Sequence, residues 1–220
     1  MGVLKKSFTG RPTAARVIPF AVFLVLTACQ GQFGAAATYW FYFIKTMVGA
    51  WLILEIRPYV MELRWAMSWE AIVVGIAIFA IWVGLDPWYP QWFHTGATGN
   101  PGDVFGTGQA WFFIIVHLAG MTLVVPPIEE VFFRSFLYRY LATKDFLAIP
   151  LNRFLPVPFF STAIIFGLSH NEWLAGILCG ATFQWLVLRK NRLGDAMTAH
   201  AITNFLLGLW IVWRHDWHFW

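Results

Sequence analysis

The chain has 220 residues, of which 59% are hydrophobic and only 12% are charged. Soluble domains carry about a quarter charged residues, so this composition excludes an ordinary soluble protein and indicates a multi-pass integral membrane protein. The formal net charge of +4 does not indicate a nucleic-acid partner, because the basic residues lie mainly at the N-terminus and in short loops, where they orient membrane spans. Cys29 and Cys179 both lie in apolar stretches and make no disulfide framework.

Apolar runs divide the chain into predicted membrane spans, with Trp and Tyr clustered at their borders, where amphipathic rings lie in a bilayer. Ile128–Leu141 is a further apolar helix, so the prediction is an all-α fold, a polytopic transmembrane bundle of seven or eight helices in one membrane domain, residues 1–220. In chain order the seven spans are Val17–Phe33, Thr38–Leu54, Trp69–Leu85, Ala110–Val125, Pro158–Ser169, Leu174–Leu188 and Ala196–Trp213.

The distribution of basic residues predicts that the N-terminus lies in the cytoplasm. The Asp86–Gln109 loop, which has no Lys or Arg, is then predicted to lie on the opposite, outer side of the membrane. This arrangement gives seven crossings. Ile128–Leu141 is then a bent continuation or a re-entrant piece, while a full crossing by this segment would give eight. The sequence LTAC ending at Cys29 resembles a lipoprotein signal, but the basic lead before it is long for a signal peptide, so we favour a first transmembrane helix.

Charged residues interrupt one apolar run, PPIEEVFFRSF, and an ionisable residue in a membrane marks a functional site by default. Glu130 and Arg134 are four residues apart and can pair on one side of a helix. Glu129 points about 100° away from Glu130 and is free to face a cavity. Pro127 suits the first turn of a helix, whose N–H groups would stabilise a nearby carboxylate. A solvated amphipathic helix is the alternative, and the surrounding apolar residues argue against it.

Two further pairs show the same spacing of four, Phe166 with His170 and His200 with Asn204. Taken alone, a histidine at a helix end is more often structural than catalytic, and His200 with Asn204 could be an ordinary contact between helices. At about 1.5 Å per residue from their helix starts, His170 lies about 18 Å deep and Asn204 about 14 Å. They could therefore share a cavity near the middle of the membrane.

The three motifs EExxxR, FxxxH and HxxxN, in this order, resemble those of the CAAX protease and bacteriocin-processing family of intramembrane proteases, also called Abi. The Ras-converting CAAX endoprotease belongs to that family. The string SHNEWLAGILCGATFQWLVLRKNRLGDAMTAHAITN is especially similar, and the resemblance covers a protease-like core of residues 110–208. The opening RVIPFAVF and the aromatic second span also resemble a bacterial subgroup found alongside exosortase and PEP-CTERM sorting systems. This resemblance implies a multi-pass protein of the bacterial inner membrane.

The resemblance implies a peptidase that cleaves with activated water and needs no cofactor. Glu129 would be the general base and His170 would help to hold the water. His200 and Asn204 would donate to the oxyanion, while Glu130, Arg134 and Phe166 would support the site. The sequence places no Ser or Cys beside a His in a way that suggests a covalent nucleophile. The implied partners are membrane lipid and a peptide or protein substrate, which could be membrane-anchored.

Two alternatives stay open. The glutamate, the histidines and the asparagine could instead bind a divalent metal such as zinc, although the second imidazole of an HExxH motif is absent from the sequence. The chain could also be a non-enzymatic scaffold or a transporter-like protein, since buried acids and histidines serve proton relays as well. Neither paired broken helices nor repeated halves, the usual signs of a transporter, are visible in the sequence.

Overall fold

A computed structural model of the chain describes residues 5–91 and 99–220, so part of the predicted outer loop Asp86–Gln109 lies outside the described residues. The described residues form helices and no strand, which confirms the all-α prediction. In chain order these helices are α1, Lys5–Phe8; α2, Pro12–Cys29; α3, Ala35–Ile56; α4, Trp69–Leu85; α5, Thr107–Tyr140; α6, Pro156–Leu168; α7, Trp173–Lys190; and α8, Gly194–Arg214.

The described residues group into two compact units. The first unit contains residues 5–60, 99–128 and 204–220, and the second contains residues 61–91 and 129–203. Both units are therefore assembled from segments that are distant in the sequence, and the motif residues Glu129 to His200 all fall in the second.

The first long helix, α2, begins earlier than the predicted span Val17–Phe33 and ends earlier too. Pro12 stands in its first turn, where the missing N–H of proline costs nothing and the fixed φ favours the helix. After Cys29 the chain turns, and Gly31 and Gly34 take φ values of 86° and 94° that favour glycine. Cys29 is thus the last residue of a helix that is long and apolar enough to cross a membrane.

Helix α5 runs from the predicted span Ala110–Val125 into the predicted helix Ile128–Leu141, so the second continues the first, which is one of the alternatives that the sequence left open. The helix continues through both prolines, so Pro127 does not begin a helix and no free N–H groups of a first turn stand beside Glu129. Two π-helical stretches, Gly120–Val124 and Val131–Leu137, flank the short α-helical stretch that contains the prolines. A wider π turn changes which carbonyl faces which N–H, and such turns accompany the kinks that proline causes.

In the second unit, α6 and α7 pack closely through glycines. A Cβ on Gly176 would lie 2.8 Å from the Cα of Gly167, and a Cβ on Gly180 would lie 3.0 Å from the Cα of Ala163. Small residues at this spacing let two backbones approach each other, as in other membrane helix pairs. This contact fixes the position of Phe166 and of the turn that follows α6.

A buried ionic contact in the same unit joins α5 to the segment before α4. Arg139 donates from Nη2 to Glu62 Oε1 at 2.9 Å and to Ser135 Oγ at 2.9 Å, and Ser135 Oγ also bonds to Glu62. Arg139 Nε donates to the Ser135 carbonyl at 2.6 Å. The cationic side chain of Arg139 therefore has an ion pair and several hydrogen bonds, which compensate the cost of burying its charge.

Five of the described helical segments have the length and apolar composition needed to cross a membrane, namely α2, α3, α4 together with the short helical turn that follows it to Trp88, α5 and α8. Helix α6 is a shorter apolar helix. The number of crossings, seven or eight, and the cytoplasmic N-terminus stay predictions.

Candidate active site

A buried chain of charged contacts links α5 to α8 in the second unit. Glu130 Oε2 lies 3.2 Å from Arg134 Nε, and both side chains are 0% exposed. Glu130 Oε1 lies 3.0 Å from His200 Nδ1. Because a carboxylate only accepts hydrogen bonds, Nδ1 of His200 carries the proton that bonds to Glu130. Glu130 therefore neutralises Arg134 and also fixes the orientation of the His200 ring.

Glu129 approaches the other nitrogen of the same ring. Its Oε2 lies 4.0 Å from His200 Nε2, and its side chain is 13% exposed. Within the described part of the chain this Oε2 is buried and has no hydrogen-bond partner. At about 4 Å the two atoms are too far apart for a direct hydrogen bond, and a water molecule could bridge them. The two acids thus flank one imidazole, Glu130 in direct contact and Glu129 across a gap.

The second imidazole, His170, stands in the turn between α6 and α7. Its Nδ1 lies 2.8 Å from the carbonyl oxygen of Phe166, so this nitrogen is the donor and Nε2 is the acceptor. Ser169 Oγ, 3.2 Å from the same Nδ1, also bonds to that carbonyl at 2.7 Å. Glu129 and His200 are both near enough to His170 to interact with it electrostatically.

The ring of Phe166 forms an apolar wall beside both imidazoles. Its centroid lies 4.7 Å from that of His170 and 6.1 Å from that of His200. The guanidinium carbon of Arg134 lies 4.5 Å from the same centroid, close enough for a cation–π contact. Phe183 of α7 lies against His200 at 5.2 Å. The charged groups are therefore enclosed by aromatic rings, where the local dielectric is low and electrostatic interactions are strong.

Asn204 belongs to the first unit, unlike the other predicted site residues. Its Nδ2 donates to the carbonyl oxygen of Met121 at 2.7 Å, which uses one of the two N–H groups of the amide. Its predicted role as an oxyanion donor stays a prediction.

Sequence reasoning missed two contacts of this site. Trp82 of α4 packs edge-to-face against His170, with centroids 5.5 Å apart and an interplanar angle of 81°. The contact of Glu130 with His200 was also missed. No motif marks Trp82, which is one of 14 tryptophans in the chain. It lies three residues before the end of the predicted span Trp69–Leu85, close to Trp88 and Tyr89 at the border, so the sequence gives no signal that distinguishes it.

Among the residues that the structure describes, no group of three or more His, Cys, Asp or Glu side chains is arranged to hold a metal ion.

Residues 109–206 match the model of a protein family described as Type II CAAX prenyl endopeptidase Rce1-like. The match spans a little under half of the chain and contains all three motifs, so the resemblance predicted from the motifs is confirmed over this segment. Together with the five long apolar helices, it indicates an integral membrane protease. No curated protein and no solved structure matched the chain. The exosortase-associated subgroup stays a prediction.

Proposed function

We propose that the chain cleaves a peptide bond within the membrane by means of activated water. The premise is that residues 109–206 match the Rce1-like endopeptidase family. The observation that carries the proposal is the pair of acids around His200. Glu130 is bonded to Nδ1, whereas the Oε2 of Glu129 faces Nε2 at 4.0 Å and is unpartnered within the described residues. Glu130 is thus engaged by His200 and Arg134, whereas Glu129 is available to accept a proton.

In the proposed reaction, water donates a hydrogen bond to Glu129 and another to the free Nε2 of His170. As the water oxygen attacks the scissile carbonyl carbon, Glu129 takes one proton and the carbonyl electron pair moves onto oxygen. When the tetrahedral intermediate collapses, the C–N bond breaks and the leaving nitrogen takes the proton from Glu129. Atoms and charges balance without a covalent enzyme intermediate.

The oxyanion requires hydrogen-bond donors, and His200 and Asn204 are the proposed ones. With its Nδ1 bonded to Glu130, His200 would donate from Nε2 as an imidazolium. Asn204 has a second amide N–H besides the one that it donates to Met121. Preorganised donors in a site that excludes water contribute about 3–4 kcal/mol each to transition-state stabilisation.

The proposed substrate is a peptide or protein that reaches the site from the bilayer. The matched family is described as acting on prenylated CAAX ends, and a lipid-modified tail would partition into the apolar surroundings of this chain. An unprenylated membrane peptide is the second substrate class to test.

The test uses the purified protein in lipid nanodiscs with two internally quenched peptides. One ends in a farnesylated Cys followed by two aliphatic residues and a variable residue, and the other has the same sequence without the lipid. We expect Glu129→Gln to lower cleavage by at least about 1000-fold while the protein remains folded, because the amide cannot accept the proton. Mass spectrometry of the products identifies the bond that is cut.

Glu55→Gln at the end of α3 is the matched control, since it makes the same chemical change on a residue outside the contacts of either imidazole. We expect it to cleave like the wild type. Equal cleavage of both peptides by the wild type and Glu129→Gln, or none by either, would overturn the proposal and favour a non-enzymatic role.

A further inference from the structure

Trp82 lies on the face of α4 that packs against the His200 segment of α8. A Cβ on Gly75 would lie 2.7 Å from the Ala199 carbonyl oxygen, and Thr203 Oγ1 donates to the Gly75 carbonyl at 2.9 Å. Trp82 follows Gly75 by seven residues, which is two helical turns, so both lie on the same face of α4. Trp82 is 8% exposed and contacts His170. The indole is therefore part of the wall of the candidate site.

The charged and imidazole groups described at this site leave few donors for a developing oxyanion. The Nδ1 proton of His170 is used by the Phe166 carbonyl, and that of His200 by Glu130. The remaining nitrogen of each neutral ring accepts, and both glutamates accept as well. Beside the second amide N–H of Asn204, a further donor whose proton does not depend on the charge of an imidazole would complete this set.

The indole N–H of Trp82 is such a donor. Its Nε1 is buried, and it has no hydrogen-bond partner among residues 5–91 and 99–220. Leaving a buried donor unsatisfied costs about 1–3 kcal/mol, which a bonding partner in the bound complex would recover. The indole nitrogen is donor-only, so its preferred partner is an anionic or carbonyl oxygen.

We infer that Trp82 is a further catalytic residue, whose Nε1–H donates a hydrogen bond to the scissile carbonyl oxygen and holds it as the oxyanion forms. This inference rests on the proposed peptidase function. The indole loses no proton in the step: it bonds to the oxygen that receives the carbonyl electron pair, and releases it when the C–N bond breaks. Because the interaction strengthens as charge develops, it acts mainly on kcat.

The test compares Trp82→Phe with Trp185→Phe, using whichever of the two quenched peptides the wild type cleaves. Trp185 is on α7 and is 46% exposed, so the same substitution there removes an indole from the surface of the second unit. We expect Trp82→Phe to lower kcat by about 10- to 100-fold with KM changed less than about twofold. Trp185→Phe should change neither constant by more than about twofold.

A second replacement separates the donor role from packing. Substitution of Trp82 by 3-benzothienylalanine keeps the shape of the ring system and replaces the N–H by sulfur. The donor role requires the same loss of kcat as in Trp82→Phe. Full kcat with this isostere, or full kcat with Trp82→Phe, would overturn the inference while the peptidase function stood. A wild type no more active than Glu129→Gln would overturn both, and the two failures are thereby distinguished.

Discussion

The contact chain Arg134–Glu130–His200 predicts an asymmetry between two substitutions of one ion pair. Glu130→Gln removes the negative charge beside Arg134, whose side chain is 0% exposed. The guanidinium nitrogens of Arg134 have no hydrogen-bond partner within the described residues, so the ion pair with Glu130 is their main compensation. Removing one partner of a buried pair costs about 3–5 kcal/mol, and we expect Glu130→Gln to lower the free energy of unfolding by that amount.

Arg134→Met should cost less, about 1–3 kcal/mol. Methionine keeps an apolar stem against Phe166, and Glu130 still has His200 Nδ1 at 3.0 Å as a charge-stabilising donor. The double variant Glu130→Gln/Arg134→Met should be more stable than Glu130→Gln alone, because it no longer contains an unpaired buried guanidinium.

The measurement is equilibrium unfolding in mixed micelles of a mild detergent and SDS, followed by far-ultraviolet circular dichroism. Additive losses in the double variant, or a larger loss in Arg134→Met than in Glu130→Gln, would refute the reasoning. Either result would mean that Arg134 has partners other than Glu130 or that water reaches the pair.

Two more predictions concern helix packing and metal dependence. Gly176→Ala should destabilise the protein by about 1–3 kcal/mol in the same unfolding assay, because its Cβ would meet the backbone of Gly167. Gly84→Ala on α4 is the matched control, since a Cβ there meets nothing within 4 Å and alanine favours a helix; equal losses in both variants would contradict the packing described. Cleavage of the quenched peptide should withstand 1,10-phenanthroline, and a loss that zinc restores would instead support the metal-dependent alternative.

The sequence was sufficient to predict the helical class and the pairing of neighbours along one helix. Glu130 with Arg134 and Phe166 with His170 are both four residues apart, and helical geometry alone brings such residues together. The spans with strong apolar runs were also close to the observed helices. Trp69–Leu85, for example, was predicted with the bounds that α4 has.

Contacts between distant segments were beyond that reasoning. Glu130 and His200 are 70 residues apart, and Trp82 meets His170 from another helix, so neither pairing follows from spacing. Whether Ile128–Leu141 continues the preceding span or forms a separate piece could not be decided from the sequence for a related reason. Proline predicts the loss of a backbone donor, but whether a helix stops or adopts π turns depends on the packing around it.

The π-helical stretch Val131–Leu137 makes the length of this segment as important as its chemistry. A residue added to or removed from a helix rotates everything beyond it by about 100°. A π turn holds more residues than an α turn, so one residue deleted here could be absorbed by a return to α-helical spacing, whereas a deletion in an α-helical part of α5 would turn Arg139 away from Glu62. The segment thus encodes an angular register, in which Glu130 and Arg139 face their separate partners across turns that are wider than α-helical ones.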